Sequence, residues 1–84
     1  MKENWRIIDN CLIYTGIDFV AFVEPTNKPE EWHVRITKGD GSEDKSVIIN
    51  YYYTLSLAVQ DVERFFDLSI PEQREQFEMS SRVS

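Results

Sequence analysis

Between Ser46 and Leu68 the hydrophobic repeat changes period at Thr54. Upstream, Ser46-Val47-Ile48-Ile49-Asn50-Tyr51-Tyr52-Tyr53 is β-branched and aromatic, which predicts a strand with at least one buried face. Downstream, Leu55, Ala58, Val59, Val62, Phe65 and Phe66 recur at helical spacing, with Gln60, Asp61, Glu63, Arg64 and Asp67 on the other side. A strand that runs straight into an amphipathic helix makes two apolar surfaces that must pack on each other.

Two more strands are predicted upstream. Ile17, Phe19, Ala21 and Val23 share one face of a segment from Ile17 to Val23, and Trp32, Val34 and Ile36 alternate with His33, Arg35 and Thr37. Glu24-Pro25-Thr26-Asn27-Lys28-Pro29-Glu30-Glu31 reads as a loop by its prolines and charge, and Gly39 to Lys45 as a connection into the Ser46–Tyr53 strand. Residues 1–15 stay open between two readings. Trp5-Arg6-Ile7-Ile8 and Cys11-Leu12-Ile13-Tyr14-Thr15 flank Asp9-Asn10 as two strands would flank a turn. Trp5, Ile8 and Leu12 also fit one helical face, although the β-branched content and Gly16 favour strand. Ser69-Ile70-Pro71-Glu72 has the form of a capping box and predicts a second helix from about Ile70 to Met79, before a frayed tail over residues 80–84.

These elements predict one small domain over residues 1–84, of α+β class. It is a three- to four-stranded antiparallel meander with a C-terminal amphipathic helix on one face and a short second helix. At this length burial only just outweighs backbone ordering, so binding or pairing would add usefully to stability.

Charge narrows the choice of partner. Fifteen acidic groups against nine basic ones leave a formal charge of −6. Such a chain repels phosphate polymers and anionic lipid and favours a protein with a basic surface. Cys11 is the single cysteine, so no internal disulfide forms, and polar residues interrupt the N-terminal apolar positions. These features predict a cytoplasmic, reducing setting without a signal peptide or membrane span.

The chemistry-bearing residues form no recognisable set. His33 is the only histidine and lies on a strand beside Arg35, with no spacing that supplies a nucleophile or further metal ligands. Asp40, Ser42 and Asp44 imitate the start of a calcium loop, but Lys45 and Tyr51 stand where its glycine and glutamate belong. Gly39-Asp40-Gly41 lacks the lysine and following helix of a phosphate cradle. Cys11 has the character of a small buried residue rather than of a nucleophile. Catalytic, metal and cofactor-binding residues are therefore none, and the reading is non-enzymatic.

Two surfaces exceed what a plain domain needs. With Val47, Ile49 and Tyr51 assigned to the helix side, the opposite sheet face still holds Val20, Phe22, Ile48 and Tyr52 beside His33, Arg35 and Thr37. An apolar stripe of that kind calls for a cover. Carboxylates supply the second surface: Glu24, Glu30 and Glu31 in one loop, Asp40, Glu43 and Asp44 in the next, and Asp61, Glu63 and Asp67 on the helix. The expected function is a protein-binding module, in its sharpest form an acidic inhibitor that occupies a basic, nucleic-acid-facing surface. In size and charge the chain is similar to small phage anti-defence proteins and bacterial immunity proteins, which act by occupying a partner's surface. That likeness implies no site residues. The alternatives are a homodimer pairing through the open sheet face or an edge strand, and a single-strand nucleic-acid binder stacking bases on Tyr52.

Overall fold

The computed structural model describes residues 4–39 and 46–83. Asp9, with φ 55, turns the chain back on itself, and the segments on either side pair with Trp5 opposite Tyr14 and Ile8 opposite Cys11. The left-handed backbone at Asp9 is incompatible with a continuing helix. Residues 5–15 are thus two strands, β1 (Trp5–Ile8) and β2 (Cys11–Thr15). They join β3 (Phe19–Pro25), β4 (Trp32–Lys38) and β5 (Val47–Tyr52) in one antiparallel sheet of order β1-β2-β3-β4-β5. The sheet therefore has five strands where three to four were expected. The first hairpin extends the sheet because it joins the common core: Leu12 and Tyr14 are buried in it, and the Trp5 ring meets Tyr14 edge-on at 5.2 Å.

Two helices, α1 (Leu55–Phe66) and α2 (Ile70–Val83), follow the sheet. Thr54 caps α1, its hydroxyl accepting from the Leu57 amide at 3.2 Å. Removing that acceptor with Thr54→Ala is expected to cost about 1 kcal/mol, read as a lower urea midpoint at unchanged slope. Ala58, Val62 and Phe65 project from α1 onto the sheet. At the start of α2, Ser69 and Glu72 cap each other reciprocally, the Ser69 hydroxyl donating to Glu72 Oε1 at 2.7 Å. The helix then continues to Val83, past the expected stop near Met79, because no glycine or proline follows Pro71 to break it. Of the expected tail, Ser84 lies outside the described residues.

Both helices lie on one face of the sheet, and the core lies between the two layers. Phe19 sits at its centre, against Phe65 at 5.8 Å and Phe77 at 5.0 Å. Ile17 was expected beside Phe19 on this face but stands 84% exposed. The chain turns between β2 and β3, where the Gly16 amide donates to the Phe19 carbonyl at 2.9 Å, and this turn takes Ile17 out of the ladder. A Cβ on Gly16 would come within 2.3 Å of the Phe66 ring, which stacks on Tyr14 at 4.3 Å. Only glycine lets the turn and the helix approach so closely.

A bulge in β5 changes the far side. Val34 pairs with Asn50 but Arg35 pairs with Ile48, so Ile49 is the extra residue. Alternation restarts one step out of phase. Tyr52, expected on the open face, turns instead under α1, where its hydroxyl donates to Asp61 Oδ2 at 2.7 Å. Burial and the Asp61 carboxylate push the Tyr52 hydroxyl pKa up. Tyr51, expected on the helix side, faces outward against the His33 ring.

Candidate functional site

The face of the sheet away from the helices is built in rows that the strand register dictates. Arg6, Ile13, Phe22, Arg35 and Ile48 form one row across all five strands. On the next rung Ile8 pairs with Cys11, Glu24 with His33, and His33 with Tyr51.

Arg35 organises the middle of the face. Its Nε donates to Glu24 Oε1 at 3.0 Å, Nη2 to Glu24 Oε2 at 3.3 Å, and Nη1 to Ser46 Oγ at 3.2 Å. The guanidinium lies 4.2 Å above the Phe22 ring, a cation held between a carboxylate and an aromatic face. His33 Nε2 is also hydrogen-bonded to Glu24 Oε1, at 3.0 Å. The Glu24, His33 and Arg35 side chains are 24%, 19% and 27% exposed, so water screens this group only in part. Hydrogen bonding to Arg35 chiefly, and then to His33, holds the Glu24 pKa below the usual carboxylate value against the opposing effect of burial.

Around this cluster the surface is apolar. Ile13, Val20 and Phe22 are half-buried, and Ile48, Ile8 and Tyr51 stand 45%, 52% and 55% exposed. Val20, Phe22 and Ile48 thus lie where the sequence predicts, with Tyr51 in the place assigned to Tyr52. The substitution matters for the base-stacking reading, because Tyr52 is inside the protein.

The acidic candidates are brought together less than the sequence suggests. Glu24 is a strand residue, not a loop residue, because β3 runs on to Pro25 opposite Trp32. Its carboxylate is engaged by Arg35 and His33. Glu31 accepts from the Thr26 hydroxyl at 2.8 Å, and Glu63 from the Trp5 indole at 2.9 Å. Asp61 holds Tyr52 and pairs with Arg64. Glu30 is exposed in the β3–β4 loop with φ 57, and Asp67 caps the end of α1. Asp40, Glu43 and Asp44 lie outside the described residues, as does the loop in which Asp40, Ser42 and Asp44 imitate calcium ligands.

The cluster's chemistry is that of a neutralised ion group. Arg35 and Glu24 satisfy each other, and no three His, Cys, Asp or Glu side chains converge as metal ligands among the described residues. Burial first, then the Glu24 and Asp9 carboxylates, pushes the Cys11 thiol up, whereas an activated thiol needs the opposite shift. Nor is any helix among the described residues long and apolar enough to cross a membrane. No family model, no curated protein and no solved structure matches this chain.

Sequence reasoning missed the ion cluster and the part played by Ile8, Ile13 and Tyr51. One usable signal was present. Val20, Phe22 and Glu24 continue a two-residue period, so Glu24 belonged with the strand and faced the same way as Phe22.

Proposed function

We propose that the protein is a non-enzymatic binding module that works by occupying another protein's surface with the open face of its sheet. One observation carries this reading. Apolar side chains on a face without helices surround a fixed Arg35–Glu24–His33 group, with Tyr51 and Phe22 beside it. Arginine and aromatic residues seated among apolar neighbours are the usual energetic centre of a protein interface. The ion group is already paired, so a partner that covers it buries no uncompensated charge.

The formal charge of −6 acts at longer range. It speeds encounter with a basic partner, while the sheet face sets how long the complex lasts. An inhibitor of a basic, nucleic-acid-facing surface fits this division. Charge-led docking by carboxylates alone has less support, because Glu24, Glu31, Asp61 and Glu63 are engaged within the fold.

The test is affinity capture from the native host at about 1 M salt, where the screening length is about 3 Å. The partner is expected to stay bound to the wild-type protein and to Asp67→Asn. Ile48→Glu and Tyr51→Glu are each expected to weaken retention about 10- to 100-fold, both positions being exposed enough to leave the fold intact. A partner held equally by both face variants, or released by salt alone, overturns the reading.

A further inference from the structure

We propose that the protein forms a two-fold dimer by antiparallel pairing of β1 with β1 of a second copy, in the register that sets Ile7 opposite Ile7. This goes beyond the sheet-face reading and stands without it.

The argument begins at the two edges of the sheet, β1 and β5. An edge strand offers unpaired N–H and C=O groups to any chain that can lie alongside. The bulge at Val34/Arg35 bends β5 and leaves Ile49 outside the ladder, which spoils that edge as a template. Among the described residues β1 carries no bulge, and Arg6 is its one charged side chain. The strand pairs with β2 through four consecutive residues without a shift, and Trp5-Arg6-Ile7-Ile8 contains no proline, glycine or lysine. Ile7 is 70% exposed on the helix side and Ile8 52% exposed on the open side. Large apolar side chains stand out from both sides of one free edge, and a strand laid alongside covers both at once.

Backbone geometry then selects the pairing. The two-residue turn at Asp9-Asn10 makes Ile8 and Cys11 a hydrogen-bonded pair, so alternate residues Ile8 and Arg6 direct their backbone groups at β2. The Thr15 amide, which donates to the Asn4 carbonyl at 3.3 Å, continues this alternation. Trp5 and Ile7 therefore present their N–H and C=O groups outward. A two-fold axis through Ile7 lets the two Ile7 residues exchange both hydrogen bonds and places their side chains in contact.

Charge decides in favour of this axis and of a second copy as occupant. With Ile7 on the axis, each Arg6 lies opposite Ile8 of the other copy, and its methylenes cover that side chain. With Arg6 on the axis, two guanidinium groups would meet in the closest type of antiparallel pair, which is unfavourable. β1 and its turn carry one Arg6 and one Asp9, so two such edges meet without net repulsion even though each chain carries −6. The sequence of β1 is thus complementary to itself under the two-fold. In the ten-stranded sheet that results, both open faces lie on the same side.

Edge pairing buries a small interface, so the dimer is expected to dissociate in the micromolar range. Sedimentation velocity from about 1 to about 200 μM would show a monomer–dimer shift, and Ile7→Lys would weaken association about tenfold or more without changing the circular dichroism spectrum. In a Cys11→Ser background, Ile7→Cys would oxidise to a disulfide-linked dimer. Arg6→Cys would not, because its Cα atoms would lie beyond the roughly 7 Å limit for a disulfide. A wild-type protein that stays monomeric over that range overturns the proposal. So does a dimer linked through Arg6→Cys but not Ile7→Cys, or one that resists Ile7→Lys and dissociates with Ile48→Glu. Loss of the captured partner in the sheet-face variants bears on the other reading alone, because those positions lie away from β1.

Discussion

Phe19→Ala is expected to destabilise the fold by about 3–5 kcal/mol. The side chain is 2% exposed and fills the point where the sheet, α1 and α2 meet, with Phe65 and Phe77 against its ring. Neither neighbour can follow the receding side chain far, since each is anchored on its own helix, so a cavity remains. A chain of 84 residues has only about 4–12 kcal/mol of stability in total. Phe19→Ala should therefore leave a substantial unfolded fraction without denaturant, seen as a lost or greatly lowered urea transition. Phe19→Leu keeps most of the volume and should cost about 1–2 kcal/mol. Equal stability of the two variants would mean that the three-element junction is not the centre of the core.

The second large effect concerns Arg35. Arg35→Ala is expected to cost about 2–4 kcal/mol, because it leaves the part-buried Glu24 carboxylate without its main partner and uncovers Phe22. Arg35→Lys should recover little of this. An ammonium cannot make two parallel bonds to Glu24, reach Ser46 and lie flat on an aromatic ring at once. The cluster also sets a pH dependence. The folded Glu24 pKa lies below its unfolded value, so the native state favours the ionised form. Its contribution is complete above the unfolded pKa, near 4.3, and disappears as pH falls through the folded pKa. Wild-type stability should therefore decline from about pH 5 downward more steeply than that of Glu24→Gln, which has no proton to take up. Parallel acid profiles for the two proteins would show that the cluster adds nothing to the fold.

How much was legible in the sequence follows from how local each signal is. β3, β4 and α1 could be placed because their periods of 2 and 3.6 persist over five or more residues, and β5 because its run is β-branched and aromatic. The Ser69–Glu72 cap could be placed because both partners lie within one turn. Trp5, Ile8 and Leu12 satisfied either period; the β-branched content and Gly16 favoured strand, and the turn at Asp9 with the β1–β2 pairing decided it. The candidate site was half legible. Val20, Phe22 and Ile48 were assigned to one face correctly, whereas the bulge exchanged Tyr51 and Tyr52, and Glu24 was read as part of a loop.

The chain by itself determined the strands from β3 to β5, both helices and the apolar side of β4 and α1, since those depend on the order of side chains along a regular backbone. Tertiary structure alone decided which side chains became neighbours. The Arg6–Ile13–Phe22–Arg35–Ile48 row, the Glu24 clamp and the free edge at β1 depend on strand register. Register is a balance among distant contacts, and a single extra residue at Ile49 reverses every facing beyond it.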